Sequence, residues 1–462
     1  MMLKRVAYVG LLALTAGLFL TPVLAEDDDK KFTITGEART RWEYFDNVAD
    51  FSDHTASGTV LDDSYDIWPY RVRIAAEGQF SNNVRGHVEL QNFGYFGNEA
   101  PFKAFPDPIF QIFNSGGEED TSLYQGFLEM NDIGGSSISL RIGRQEHTLG
   151  NELQMGDLDF YNGLSFDGVR SMFDYESFDL DLFYYIITEA NAGCLGFCGD
   201  ENLTFAGATA DWSFGNGGAV FEPYALFYRN GSQTGATIAV DKFNIWTIGG
   251  RYSRSVQGSA WDWNIEAAFQ TGDIGPNTGP LAAEEDHSAN IIEGWVGYSW
   301  NNHRVHVGTL ISSGDDDAAA GAATDGDHED YLFLFTDVHA NNRLGDMDLE
   351  TFFFSFAETV FGPFFASGIT DYNFGYTWNG GGRHGIMAAY HDFTLSEDAA
   401  LGGPALTDDL GSEIDFRYTF RYSKDLGLEV GVAQFMPGDA IFDVFGDDDD
   451  AMRVWAQARL RW

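Results

Sequence analysis

Beyond residue 25 the chain has no apolar run of eighteen residues, which excludes a helical membrane protein. Cysteine is nearly absent. The two present, Cys194 and Cys198 in AGCLGFCGD, are too sparse for a zinc site and read as a disulfide stapling one loop in an oxidising compartment. Positive charge is scarce as well. Lys and Arg number 26 against 71 Asp and Glu, a formal net charge of −45. Nucleic-acid binding needs a basic footprint and is excluded on that ground. No serine and histidine fall into a nucleophile-and-base pairing, so no enzyme is expected. No metal or other cofactor is expected.

What remains is rich in aromatics and glycine, with 40 Phe, 20 Tyr, 11 Trp and 54 Gly. Mean hydropathy is slightly negative at −0.21, because apolar and polar residues alternate. The final strand shows the pattern. In RVWAQARLRW, Val454, Ala456, Ala458, Leu460 and Trp462 form an apolar row, and Arg453, Gln457, Arg459 and Arg461 face the other way, broken only by Trp455. Period two is a strand with two unlike faces. The same alternation recurs in TGEARTRWEYF (35–45), YRVRIAAEG (70–78), SISLRIG (137–143) and EIDFRYTFRY (413–422).

The ends and the links set the topology. Lys4 and Arg5, an apolar run to about Leu20 and Val23-Leu24-Ala25 read as a signal peptide cleaved after residue 25. Eight short links fall near 81–83, 131–135, 175–177, 213–218, 255–259, 300–303, 380–383 and 424–426. Nine long, polar links alternate with them. Eighteen strands follow, in an all-β, antiparallel, up-and-down transmembrane barrel with short periplasmic turns and long extracellular loops. Residues 26–462 form one outer-membrane domain of a Gram-negative bacterium, expected as a monomer. The longest link, 313–369, contains the apolar stretches YLFLFT and ETFFFSFAETVFGPFF. A loop folded into the barrel mouth is expected there, an added hairpin and twenty strands being the alternative. The acidic runs all fall in long links. A solvated acidic rim is expected, the other reading being Ca²⁺ held by the loops against lipopolysaccharide.

Most of the scarce cations are arginines set in strands. Arginine at mid-bilayer costs roughly 2–4 kcal/mol, so Arg39, Arg41, Arg71, Arg73, Arg141, Arg170, Arg229, Arg304, Arg417, Arg421, Arg459 and Arg461 are assigned to the lumen. Once the barrel closes, Arg39 and Arg41 meet Arg459 and Arg461 in one basic wall. Guanidinium forks pair carboxylates bidentately, and basic rings are the ordinary device of anion pores. Some of these arginines are expected to brace lumen carboxylates and others to contact cargo.

LRIGRQEHTLGNELQMGDLDFYNGLSFDGVR (140–170) and GSEIDFRYTFRYSKDLGLEVGVAQFMPGD (411–439), with a looser match in DVHANNRLGDMD (337–348), resemble the bacterial alginate export family. The resemblance implies an outer-membrane barrel with an arginine-rich constriction, passing an anionic exopolysaccharide passively outward. It also implies periplasmic polysaccharide-secretion partners. Arg144 and Arg170 occupy family motif positions and are carried over as constriction residues. Trp462 resembles the terminal aromatic signal read by the outer-membrane assembly machinery. The loops here are very acidic, and a negative mouth repels polyuronate. Uptake of small anionic solutes is the alternative function.

Overall fold

The computed structural model describes residues 31–48, 51, 64–96, 121–159, 161–188, 203–214, 218–230, 243–255, 259–274, 285–315, 327–347, 367–397 and 407–462. Their sheet has twenty strands, two of them short. The other eighteen form the wall: β1 (Lys31–Asp46), β2 (Pro69–Ser81), β3 (Val84–Tyr95), β4 (Thr121–Met130), β5 (Ile138–Gln145), β6 (Phe166–Asp174), β7 (Phe178–Thr188), β8 (Leu203–Phe214) and β9 (Ala219–Asn230). They continue with β10 (Phe243–Arg254), β11 (Trp261–Ile274), β12 (Glu285–Trp300), β13 (His303–Ser312), β14 (Ile369–Gly380), β15 (His384–Leu395), β16 (Asp409–Arg421), β17 (Leu426–Pro437) and β18 (Ala451–Arg461).

Each wall strand pairs antiparallel with the next, and β1 also pairs with β18 from Glu37↔Arg461 to Asp46↔Met452, which closes the cylinder. Closure leaves no sheet edge unpaired, as a lipid environment demands. The strands joined by the eight short links end where the alternation breaks in the sequence. Residues 331–347 add no strand to the wall. The signal peptide and both cysteines lie outside the described residues.

The alternation sorts side chains between two media. Ile74, Leu90, Leu128, Ile248, Ile265, Val307, Ile414 and Val430 all point outward and are exposed, as an oil-facing band requires. Phe80, Trp212, Phe214, Trp261 and Trp462 are exposed near the short-turn rim, where amphipathic rings suit the membrane boundary. The apolar core is internal. Phe166, Phe183, Tyr185, Phe205, Tyr228 and Ile245 point inward from β6 to β10 and pack around Leu153, Met155 and Phe335 of two loops. Phe205 and Phe335 have ring centroids 4.7 Å apart. Burial of each such side chain contributes roughly 1.5–3 kcal/mol, so the loops are held in the lumen by a genuine core.

Candidate functional site

Register decides which cations meet. On the inner face Arg39 of β1 lies opposite Arg71 of β2 and opposite Arg459 of β18. One step toward the short-turn end, Glu37 lies opposite Arg73 and Arg461. Like charges facing one another across strands repel, and two carboxylates offset this. Glu37 accepts from Arg71 at 2.5 Å, from Arg459 at 2.5 Å and from Arg461 at 3.1 Å. Asp159, from the loop between β5 and β6, accepts from Arg71 at 2.6 Å and from Arg73 and Arg459 at 2.9 Å. Burial alone would raise the Asp159 carboxyl, but the arginines hold it well below the usual carboxylate range. Arg39 reaches no carboxylate among the described residues. It donates to the main-chain oxygens of Asp159, at 2.6 Å, and Tyr161. Four guanidinium groups thus share two carboxylates and Arg39 adds a fifth, so the wall keeps a surplus of positive charge.

Trp455, the residue that interrupts the polar row of β18, points inward and is buried. Its ring lies 5.5 Å from the guanidinium carbons of Arg41 and Arg453 and 5.9 Å from that of Arg417. Arg41 and Arg453 share Glu43 at 2.9 and 2.5 Å. An aromatic face between cations supplies quadrupole attraction, and the indole N–H of Trp455 donates to Glu429 at 2.9 Å. Gly431 on β17 makes the room, since a Cβ there would meet the Trp455 ring.

A second stretch of the wall is acidic. Glu293 of β12, Asp371 of β14 and Glu413 and Asp415 of β16 point inward and are buried, and Asp371 pairs the ring of His391 at 3.1 Å. Arg343 donates to Glu293 at 2.6 Å. Asn342 reaches Asp415 and His391, each at 2.9 Å. The backbone N–H groups of Asp346 and Met347 converge on Glu413 at 2.6 and 2.9 Å, an amide concavity for an anion. Gly345 has φ +83°, and a Cβ there would meet the Glu413 carboxylate. Glycine is needed on both counts.

The two inturned loops clasp each other. Gly156 N–H donates to Phe335 at 2.8 Å, Asp337 N–H to Glu152 at 3.0 Å, and the Thr336 hydroxyl to Leu153 at 2.6 Å. At the clasp, carboxylate oxygens of Glu152, Asp157 and Asp337 lie within 4.8 Å of one another. Burial, then Asp157 and Asp337, push the Glu152 carboxyl up to about 7.

The arginines singled out from the sequence thus separate. Arg39, Arg41, Arg71, Arg73, Arg459 and Arg461 share one wall. Arg141 and Arg170 lie opposite each other on β5 and β6, Arg141 bonded to Glu129 at 2.7 Å and Arg170 to Asp181 at 2.9 Å. Arg304 forks onto Asp262. Arg417 pairs Asp346 at 2.5 Å, and Arg421 shares its inner face near the short-turn rim. Arg144 does not join them. It lies three residues beyond the inward Arg141, hence on the other face, and grips Asp167 at 2.7 and 2.6 Å on the barrel exterior. Gln145, fully buried, is the inward member of that motif. Arg229 is outward by the same parity, next to the buried Tyr228. Asp159 and Arg343, which organise the two walls, lie in loops that carry no periodic signal. Arg453 shares the parity of Arg459 and was legible in it.

The sequence matches the family model described as alginate export over residues 31–455. The chain belongs to the alginate export family. No curated protein matches it. Among solved structures, this alginate export family member is similar to OccK8 (OprE) of Pseudomonas aeruginosa, at 13% identity over 94% of this chain and 98% of that one, with a TM-score of 0.55. A BenF-like porin from Pseudomonas fluorescens Pf-5 gives 12%, 94%, 99% and 0.54. The outer membrane protein OprD from Pseudomonas aeruginosa gives 12%, 93%, 94% and 0.54. At such identity these likenesses establish the fold, a closed porin-like barrel. Family and fold together make the protein an outer-membrane channel for solutes.

Proposed function

We propose that this barrel is a passive, anion-selective conduit for acidic saccharide chains or their fragments across the outer membrane of a Gram-negative bacterium. The observation that carries this reading is the Arg71, Arg39, Arg459 rung, where guanidinium groups outnumber carboxylates and, among the described residues, Arg39 is held by carbonyl oxygens alone. A passing carboxylate can replace a carbonyl or the Asp159 side chain at one fork while the next fork is already in reach. Exchange of that kind moves an anion without a deep well. In this reading, periplasmic secretion proteins present the chain, and the exposed Trp462 serves barrel assembly. The lumen content of two clasped loops favours a second reading, uptake of small anionic solutes, because it narrows the passage.

Planar-bilayer reversal potentials under a salt gradient test the proposal. The wild type should be anion-selective, and Arg39→Glu with Arg459→Glu should shift the potential toward cations. A cation-selective wild type, or a double variant without effect, sinks it. Competition between an oligouronate and a monocarboxylate of equal charge concentration separates the two cargo readings.

A further inference from the structure

A second basic region lies apart from the rung, at the short-turn mouth. A cavity of about 1160 Å³ opens there between β12 and β18. Its cationic lining is Arg304, Arg383, Arg417, Arg421, Lys424, Arg459 and Arg461, with Asp425 and Glu429 as the acidic members. These cations differ in how far they are already engaged. Arg304 is committed to Asp262, Arg417 to Asp346, and Arg459 and Arg461 to Glu37. Arg383 and Arg421 make no side-chain hydrogen bond or ion pair among the described residues. Lys424 reaches only Asp425, at 3.7 Å, and its side chain is 90% exposed.

The backbone sets Arg383 beside Arg421 and ties the turn that carries Lys424 to the wall. Arg421 N–H donates to the Arg383 carbonyl at 2.8 Å, tying the β14–β15 turn to the end of β16. Arg461 N–H donates to the Asp425 carbonyl at 2.9 Å, tying the β16–β17 turn to β18. The main-chain positions of these cations are thus set by the wall, and their side chains are free to reach a ligand. Between these cations the lining is uncharged and hydrogen-bonding, with Asn301, Asn302, Thr377, Asn379, Thr419 and Gln457. Amide and hydroxyl groups match sugar hydroxyls, and free guanidinium matches carboxylate. At its inner end the cavity includes Arg459, a member of the rung. The outer links carry the opposite charge in the sequence, with runs such as GDDD (314–317) and GDDDD (446–450).

We propose that this cavity is a loading site for an acidic oligosaccharide approaching from the short-turn, periplasmic side. This rests on the reading of the barrel as a conduit for acidic saccharides and adds a sidedness to it. Arg383, Arg421 and Lys424 capture carboxylates first, the neutral polar lining holds hydroxyls, and Arg459 receives the leading residue. No comparable loading is expected from the long-loop side, where like charge repels the ligand.

Single-channel recording on uniformly inserted barrels tests this with a uronate hexamer added to one side at a time. The expected result is concentration-dependent block from the short-turn side, at least about tenfold stronger than from the other side. Arg383→Glu with Lys424→Glu should weaken that block about tenfold and shift the reversal potential less than Arg39→Glu does. Heat-modifiable migration on gels shows that the variants are folded. Equal block from both sides, unchanged block in the double variant, or equal block by a neutral hexasaccharide overturns the loading site. Those results leave the conduit standing if the wild type is anion-selective, whereas cation selectivity in the wild type removes the conduit itself.

Discussion

The two walls of the lumen use charge in opposite ways. On β1, β2 and β18 the cations outnumber their partners, and the loop tip at Asp159 touches them through one carboxylate and a few carbonyls. On β12, β14 and β16 the inward Glu293, Asp371, Glu413 and Asp415 are buried; residues 342–347 meet Glu293, Asp415 and Glu413 with Arg343, Asn342 and backbone N–H groups, and His391 meets Asp371. The acidic wall is an anchor for a loop. The basic wall is braced by fewer carboxylates than it has cations. A barrel that is acidic overall can thus hold a locally basic wall, because many of its inward carboxylates are paired within the structure, and under the proposed function that wall is where cargo passes.

The largest effect should come from the anchor. Glu293→Ala leaves Arg343 buried without its carboxylate, a change that typically costs about 3–5 kcal/mol. The clasped loops should loosen, read as a lower thermal midpoint and noisier single-channel current. If stability and noise are unchanged, the acidic wall is no anchor. A smaller effect is expected from Asp371→Asn, which removes a covered charge. Its reversal potential should move far less than that of Arg39→Glu, and equal shifts would erase the distinction between the walls. Asp159→Asn frees part of three arginines and should increase anion selectivity, with reduced selectivity as the contrary outcome in the same recording.

The smallest effect concerns pH. The Glu152 carboxyl sits at about 7 in the folded clasp, above its ordinary value, so the folded loops bind a proton that the open ones release. The clasp should therefore be firmest below about pH 4.5, where the carboxyl is protonated in both states, and weaken as pH rises from there through about 7. Current noise rising over that window checks it, and Glu152→Gln should flatten the response.

The wall of the barrel was legible because period two has only one structural meaning in a chain of this composition. The strands joined by the eight short links ended where the alternation stopped, and β1 met β18 as the paired faces required. The lumen was legible only in part. Arg39, Arg71 and Arg459 follow from parity, yet parity also places Arg144 outside, and trusting a motif over the count from Arg141 misplaced it. Trp455 looked like a fault in the pattern and is instead the plate between three guanidinium groups. Asp159 and Arg343 were beyond reach, since a loop's path depends on the surfaces it meets and leaves no period in its own residues.

Gly36 and Trp462 exchange both of their backbone hydrogen bonds, at 3.1 Å each, although nearly the whole polypeptide separates them. A zipper whose first and last teeth must interlock cannot be fastened from one end, so the hoop is complete only when its final tooth arrives. Until then β1 waits with one edge bare, and whatever shelters that edge governs whether the hoop forms at all.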